Sequence, residues 1–197
     1  MSALGLLLAA GAGRRMGSPK ALLRDGHGVP YLDRAVGRLL DGGCRGVTVV
    51  LGASVEEARG LLEEAGWSTD PAVTVVVADD WDEGMGASLR AGIRGLLDAP
   101  GEVSAVLVSL VDLPDVDEVV VRRVLGAADE DHAILARASY DGVAGHPVLI
   151  GRSHWSGVVE VAAGDRGARD YLRGREVRLV ECSDLASGRD VDTPDQL

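Results

Sequence analysis

The sequence predicts an α/β protein with a mainly parallel, mixed sheet between two layers of helices. Three observations carry that prediction. Short apolar runs alternate with helical patterns along the 197 residues, the order that produces a parallel sheet covered on both faces. The apolar residues are mostly Val, Leu, Ala and Ile: hydrophobics make up 46%, with no Phe and 3% aromatics, a set suited to strands buried on both sides. A glycine-rich stretch, Gly11-Ala12-Gly13-Arg14-Arg15-Met16-Gly17, follows the first apolar run, where such sheets place their ligands. The length predicts one domain, 1–197, with a full core.

Taken in order, the apolar run 4–9 predicts the first strand, bounded by the glycines that follow. Positions 31, 32, 35, 36, 39 and 40 are apolar, one face of a helix that Gly42-Gly43 ends. Residues 47–51 form a second strand. Ser54, with Glu57 at capping-box spacing, predicts the start of a helix reaching about Ala65. A strand over 73–78, a loop over 79–86 and a helix over 87–97 come next. Residues 105–110 read as a strand ending at Val111-Asp112-Leu113-Pro114, and 116–128 as a helix. Strands are expected over 133–138 and 147–150, around an Asp141-Gly142 turn and a break at Gly145, one of them locally antiparallel. Helices over 155–163 and 168–172 and a strand over 177–181 complete the alternation before Asp190-Val191-Asp192-Thr193-Pro194.

Composition removes several function classes. Thirty-one Asp and Glu against 20 Lys and Arg give a net charge of −11. That balance argues against nucleic-acid binding, which needs a basic face, and against anionic membranes. Cys44 and Cys182 stand alone, without CxxC or metal-ligand spacing; they read as reduced thiols, with a disulfide left open. The N-terminal apolar run is about half a membrane span and lacks a charged leader, so a cytoplasmic location is expected.

Against the acidic background, Arg14, Arg15 and Lys20 form a local positive site beside the glycines. Glycine lets the backbone approach a ligand closely, and exposed N–H groups can cradle an anion. Arg grips phosphate with a planar fork, while Lys acts as a point charge. The simplest ligand is a polyphosphate. It is not a P-loop, since no Gly-Lys pair occurs in the chain. It departs from the dinucleotide fingerprint as well: the third glycine is one place late, and the second strand ends in Gly52-Ala53-Ser54 without the acidic residue that holds a ribose.

Asp112, at the end of an apolar strand, is the best first ligand for a magnesium ion accompanying the phosphates, although Asp-x-Pro is also ordinary turn chemistry. If extended, Asp190 and Asp192 share a side. Ser88 falls at a helix start, where N–H groups and a hydroxyl can meet a ligand. The stretch Gly164-Asp165-Arg166-Gly167-Ala168-Arg169 leads a glycine turn into a helix with two arginines, either a second phosphate site or an ordinary helix start.

The pattern Leu8-Ala9-Ala10-Gly11-x-Gly13-x-Arg15-Met16-Gly17-x-Pro19-Lys20 resembles the signature of nucleotidyltransferases related to the molybdenum-cofactor cytidylyl- and guanylyltransferases, the MobA-like family. The resemblance runs from about residue 5 to 195. It implies a three-layer α/β/α, Rossmann-like nucleotidyltransferase fold of the GT-A-like type. It assigns nucleotide binding to Leu8, Ala9, Ala10, Gly11, Gly13, Arg15, Lys20, Gly84 and Ser88. Asp112 and Asp192 would bind the metal, Mg²⁺, and Arg15, Lys20 and Asp112 would be catalytic. Gly145-His146-Pro147 resembles a strand beside the acceptor, giving Gly145 and Pro147. The 164–169 stretch resembles a G-D-x-G-A-R segment, giving Gly164, Asp165, Gly167 and Arg169.

The resemblance implies an enzyme that moves a nucleoside monophosphate from an NTP to a phosphorylated acceptor and releases pyrophosphate. Molybdopterin is the expected acceptor, with a molybdoenzyme or its chaperone as a possible partner. Ala10, which the guanylyl branch typically replaces by Gly, narrows the base pocket and favours CTP over GTP. Two alternatives stay open: another small-acceptor or sugar-phosphate nucleotidyltransferase of this fold, and a non-catalytic nucleotide-binding accessory protein for molybdoenzyme maturation. An NAD-type oxidoreductase is disfavoured by the missing acidic residue after the second strand.

Overall fold

A computed structural model describes residues 2–97, 102–127 and 132–193. The strands are β1 (Ala3–Leu8), β2 (Val47–Leu51), β3 (Val73–Val77), β4 (Ala105–Leu110), β5 (Leu135–Tyr140), β6 (Val143–Gly151) and β7 (Arg178–Glu181). The helices are α1 (Tyr31–Asp41), α2 (Val55–Glu64), α3 (Met85–Leu96), α4 (Glu118–Gly126), α5 (Trp155–Val161) and α6 (Arg169–Leu172). The sheet order is β3-β2-β1-β4-β6-β5-β7. β6 runs antiparallel to β4 and β5, and the other pairings are parallel.

Alternation along each strand divides the core in two. Leu7, Val49, Leu107 and Leu149 point to the face covered by α1, α2 and α4, where Leu32, Val36, Leu62 and Val120 meet them. Leu6, Val50, Val106 and Ile150 point to the opposite face, against Leu89 and Ile93 of α3 and Trp155 and Val158 of α5. Both faces of the central strands are therefore dry, as their largely apolar sequences require, with Thr48 and Ser109 buried among them. Each fully buried Leu or Ile contributes about 1.5–3 kcal/mol relative to exposure. At the margins the sheet is wetter: Thr74 and Val77 of β3 are exposed, as is Leu179 of β7.

Several boundaries differ from the sequence expectation. Ser54 precedes α2 in a left-handed conformation (φ 57°) and its hydroxyl caps nothing; only its carbonyl starts the helix, accepting from Ala58 N–H at 3.0 Å. A capping side chain needs extended backbone, which is the geometry Asp117 has when it accepts from Val119 and Val120 at the start of α4. That helix begins at Glu118 rather than 116, and its expected end at Ala128 lies outside the described residues. The 79–86 loop is shorter than expected, because α3 already begins at Met85. Gly86 lies within the helix, where the missing β-carbon lets its first turn pack close against Ala163: a Cβ would lie 2.5 Å from the Ala163 nitrogen. Gly145 does not break a strand; β6 passes through it, and the irregularity falls opposite, between Arg137 and Ser139 of β5. β5 also starts two residues later than expected, at Leu135.

Candidate functional site

The carboxyl ends of β1, β2 and β4 meet at one edge of the sheet, and a cleft of about 390 Å³ opens there. The loop after β1 forms its floor, from Leu8 through Met16. Gly13 turns this loop at φ 58°, and its carbonyl accepts from the N–H groups of Met16 and Gly17, both at 2.9 Å. A β-carbon on Gly13 would lie 1.8 Å from the Ser18 carbonyl oxygen. Gly11 is different. It is exposed, its φ is not positive, and a β-carbon there would touch nothing within 4 Å. The fold does not require glycine at 11, whereas a ligand lying against the loop would.

The loop carries Lys20 to the end of β4. Its ammonium donates to the Asp112 carboxylate and to Asp192 Oδ1, the latter at 2.6 Å. Arg15 Nη1 donates to the other oxygen of Asp192 at 3.1 Å, through a side chain that is 79% exposed. The 190–193 segment is tied to β4 through the backbone: Val191 N–H donates to the Asp112 carbonyl at 3.0 Å. Asp112, Asp190 and Asp192 each offer a carboxylate oxygen within 4.8 Å of the others. Three hard oxygen donors at that spacing fit a divalent cation such as Mg²⁺ or Mn²⁺. Asp190 had no role assigned from sequence. The signal was its i, i+2 spacing from Asp192, with Val191 turned into the core.

Charge and burial oppose one another here. Burial raises the Asp112 carboxyl, and the hydrogen bond from Lys20 works the other way. Burial likewise works against the Lys20 ammonium, but the two carboxylates outweigh it and raise its pKa, so the lysine stays charged. The bond from Lys20 lowers Asp192.

The far wall begins at a 3₁₀ turn, Trp81–Glu83, and continues into α3. Trp81 is half-buried; it packs across Gly52, where a β-carbon would stand 2.6 Å from Trp81 Cβ and 2.8 Å from Ala10 Cβ. Ala10, Gly52 and Trp81 therefore close one end of the cleft. Ser88 lies in the first turn of α3, buried, with Gly84 and Met85 beside it in the lining.

The residues expected at an acceptor divide into two groups. Gly164, Asp165 and Gly167 pack on the start of α3: a β-carbon on Gly84 would lie 2.6 Å from both Gly164 and Asp165, and one on Gly167 would lie 3.2 Å from the Met85 sulfur. Asp165 joins the cleft lining. Gly145 and Pro147 are outside that lining. The antiparallel register, with Val148 opposite Val108, sets them one strand beyond the end of β4. Arg137 donates twice to the Gly145 carbonyl, at 3.0 and 2.8 Å, and Arg169 is exposed near enough for Arg137 to feel its charge. Burial, with the Arg137 charge added, pushes His146 down to about 4, so at neutral pH it is uncharged.

A family model described as a MobA-like NTP transferase domain matches residues 5–181. A curated relative from Paenarthrobacter nicotinovorans, described as a nicotine blue oxidoreductase, is 37% identical over 206 residues, covering 98% of this chain and 93% of that one. The crystal structure of Rv0371c from Mycobacterium tuberculosis H37Rv superposes with a TM-score of 0.78 at 25% identity, covering 99% of this chain and 94% of that one. A further Rv0371c structure, in complex with manganese, has a TM-score of 0.72 at 21% identity over 92% of this chain and 88% of that one. Among the described residues no helix is long and apolar enough to cross a membrane.

Proposed function

The chain belongs to the MobA-like NTP transferase family, and from that premise we propose that it transfers a nucleoside monophosphate from an NTP to a phosphorylated small molecule as one catalytic domain. The observation that carries the reading is Lys20 held between Asp112 and Asp192 at the head of the glycine loop. An acceptor phosphate oxygen bonds to the α-phosphorus, the bond from that phosphorus to the β-phosphate bridging oxygen breaks, and pyrophosphate leaves. A phosphomonoester is already largely anionic at neutral pH and needs no general base.

The protein's task is positioning and charge stabilisation. Gly11 and Gly13 let the triphosphate approach the backbone, and Arg15 and Lys20 hold its oxygens and those of the departing pyrophosphate. Asp112 and Asp192 would hold Mg²⁺, with Asp190 close enough to join them. When bound, that ion neutralises phosphate charge. Leu8, Ala9, Ala10, Gly84 and Ser88 shape the nucleoside end. The Ala10 methyl beside Gly52 and Trp81 favours the smaller pyrimidine, hence CTP. Asp165, Gly164 and Gly167 border the acceptor side, with Arg169, Gly145 and Pro147 beyond. Molybdopterin is the acceptor we favour, and a molybdoenzyme or its chaperone the receiver of the product.

The relative described as an oxidoreductase supports a second reading, a redox reaction in the same cleft. One panel separates the two. Pyrophosphate release is measured for CTP, GTP, ATP and UTP with molybdopterin and other phosphorylated acceptors, with and without Mg²⁺. Oxidation of NADH and NADPH is followed beside it, with a heteroaromatic dye as acceptor. Metal-dependent pyrophosphate release upholds nucleotidyl transfer; cofactor oxidation without pyrophosphate replaces it.

A further inference from the structure

Arg90 lies on α3, two residues after Ser88, with a side chain 16% exposed. Its guanidinium does not line the cleft, yet it reaches both walls from behind. Nη2 donates to Asp80 Oδ2 at 2.9 Å and to Glu83 Oε2 at 2.8 Å, on either side of Trp81. Nη1 donates to the Ala162 carbonyl at 2.8 Å, just before the Gly164–Arg166 turn that carries Asp165 to the cleft. The walls also meet by close packing, with Gly84 against Gly164 and Asp165, Gly86 against Ala163 and Met85 against Gly167, contacts that lack the directionality of a hydrogen bond. A planar fork with donors on two arms suits this double tie, and a lysine point charge reproduces it only in part.

We infer that Arg90 is a positioning residue that couples the Trp81 wall of the cleft to the 162–167 wall. The assignment of these walls to nucleotide and acceptor rests on the function proposed above; the mechanical tie does not. A nucleotide that settles against Trp81 moves Asp80 and Glu83, and Arg90 passes the change to Ala162 and so to Asp165. Binding on one side thereby arranges the other.

The test is hydrogen–deuterium exchange read by mass spectrometry on the full chain, with and without CTP plus Mn²⁺. The variants are Arg90→Met, Arg90→Lys and the pair Asp80→Ala with Glu83→Ala. Without ligand, Arg90→Met is expected to speed exchange over both 80–86 and 162–167, and the Asp80/Glu83 pair over 80–86 alone. In the unsubstituted protein CTP with Mn²⁺ slows exchange over both segments. In Arg90→Met, at saturating CTP, it slows 80–86 only, and the Kd for CTP rises roughly 3–10-fold, as loss of charged hydrogen bonds to partly exposed partners implies. Arg90→Lys recovers part of the response at 162–167, which a merely structural contribution would not produce. A folded Arg90→Met protein whose 162–167 segment still responds to CTP as before overturns the inference. If Arg90→Met does not fold, Arg90→Lys and the Asp80/Glu83 pair decide: an undiminished 162–167 response to CTP in both overturns it. Absence of any CTP response in the unsubstituted protein counts against the proposed nucleotide cleft, while the ligand-free comparison still decides the tie.

Discussion

On the β3-β2-β1-β4 side of the sheet, charged side chains meet one another across the sequence: Lys20 reaches Asp112, 92 residues away, and Asp192, 172 residues away. On the β6-β5-β7 side several polar and charged side chains are committed to backbone groups, alongside surface pairs such as Arg123 with Asp184. Arg137 holds the Gly145 carbonyl, Tyr140 donates to the His146 carbonyl at 2.7 Å, and Glu181 accepts from the N–H groups of Asp141 and Gly142. A charge committed to a fixed peptide group shapes a turn and stays there. A charge held by other side-chain charges can exchange them for a ligand's, at little cost to the backbone. Changes on the first side should therefore act on activity more than on stability, and changes on the second the reverse.

The largest expected effect tests that contrast directly. Asp112→Asn and Lys20→Met should each lower nucleotidyl transfer roughly 10²-fold or more, the usual loss when one charged contact to a transition state is removed. Asp112→Asn should leave the melting temperature level or raised, because burial disfavours the charged form of Asp112 in the fold. Pyrophosphate release and a thermal melt on the same preparations check both halves. A variant that unfolds as it loses activity would break the contrast.

Next in size is Gly13→Ala. The added carbon would meet the Ser18 carbonyl at 1.8 Å with the backbone left-handed. Strain of that kind costs about 1–3 kcal/mol, visible as a lower midpoint in urea unfolding. Here a residue on the ligand side has a structural duty, which limits how cleanly the two sides separate.

The sequence made some of this visible for physical reasons. β2 and β4 have the expected ends because Val and Leu runs buried on both faces leave little doubt about where a strand lies. The rule that ligands bind at strand ends pointed to the glycine loop and Asp112, the family resemblance added Asp192, and Lys20 meets both carboxylates there. Glycine was the harder letter to read. Gly86 and Gly145 resembled loop and break, but close packing against Ala163 and against the Tyr140 ring (2.8 Å from a Cβ at 145) explains both inside regular elements. Nothing in the sequence marks Arg90, since its partners 72, 10 and 7 residues away carry no pattern. Asp190 needed the fold of the 190–193 segment to join the other two carboxylates.

Gly11→Ala sharpens the contrast further, because Gly11 and Gly13 sit in one loop with opposite expectations. A methyl at 11 meets nothing within 4 Å, so stability should stay within about 0.5 kcal/mol. The same methyl enters the cleft, so nucleotide affinity should fall by roughly tenfold, the scale of one misplaced methyl-sized group. Calorimetric titration with CTP and Mn²⁺, beside a urea melt, reads both; equal binding would mean that the ligand does not touch this stretch of loop.

The smallest effect lies on the scaffold side, at Glu181. Its carboxylate accepts from the Ser183 hydroxyl and N–H, from Ser139 Oγ at 2.9 Å, and from the N–H groups of Asp141 and Gly142 at 3.1 and 3.2 Å. Those donors, the Ser183 hydroxyl first, lower its pKa from 4.5 to about 2. Asp141 and Gly142 both have positive φ, as a two-residue hairpin turn requires, so the carboxylate pins the β5–β6 turn. A group whose pKa is depressed on folding stabilises the fold above its unfolded value and loses that contribution as pH falls through the folded one. The Glu181 contribution should thus be complete above about pH 4.5 and fade toward pH 2. Glu181→Gln should lower the melting temperature slightly at pH 6 and flatten its decline on acidification, so that the two melting curves converge near pH 2. Because the group is fully exposed, added salt should shrink the difference, and nucleotidyl transfer at neutral pH should not change. A fall in that activity would show that the hairpin turn and the carboxylate edge are coupled across β6 and β4, and the division between the two sides of the sheet would have to be redrawn one strand over.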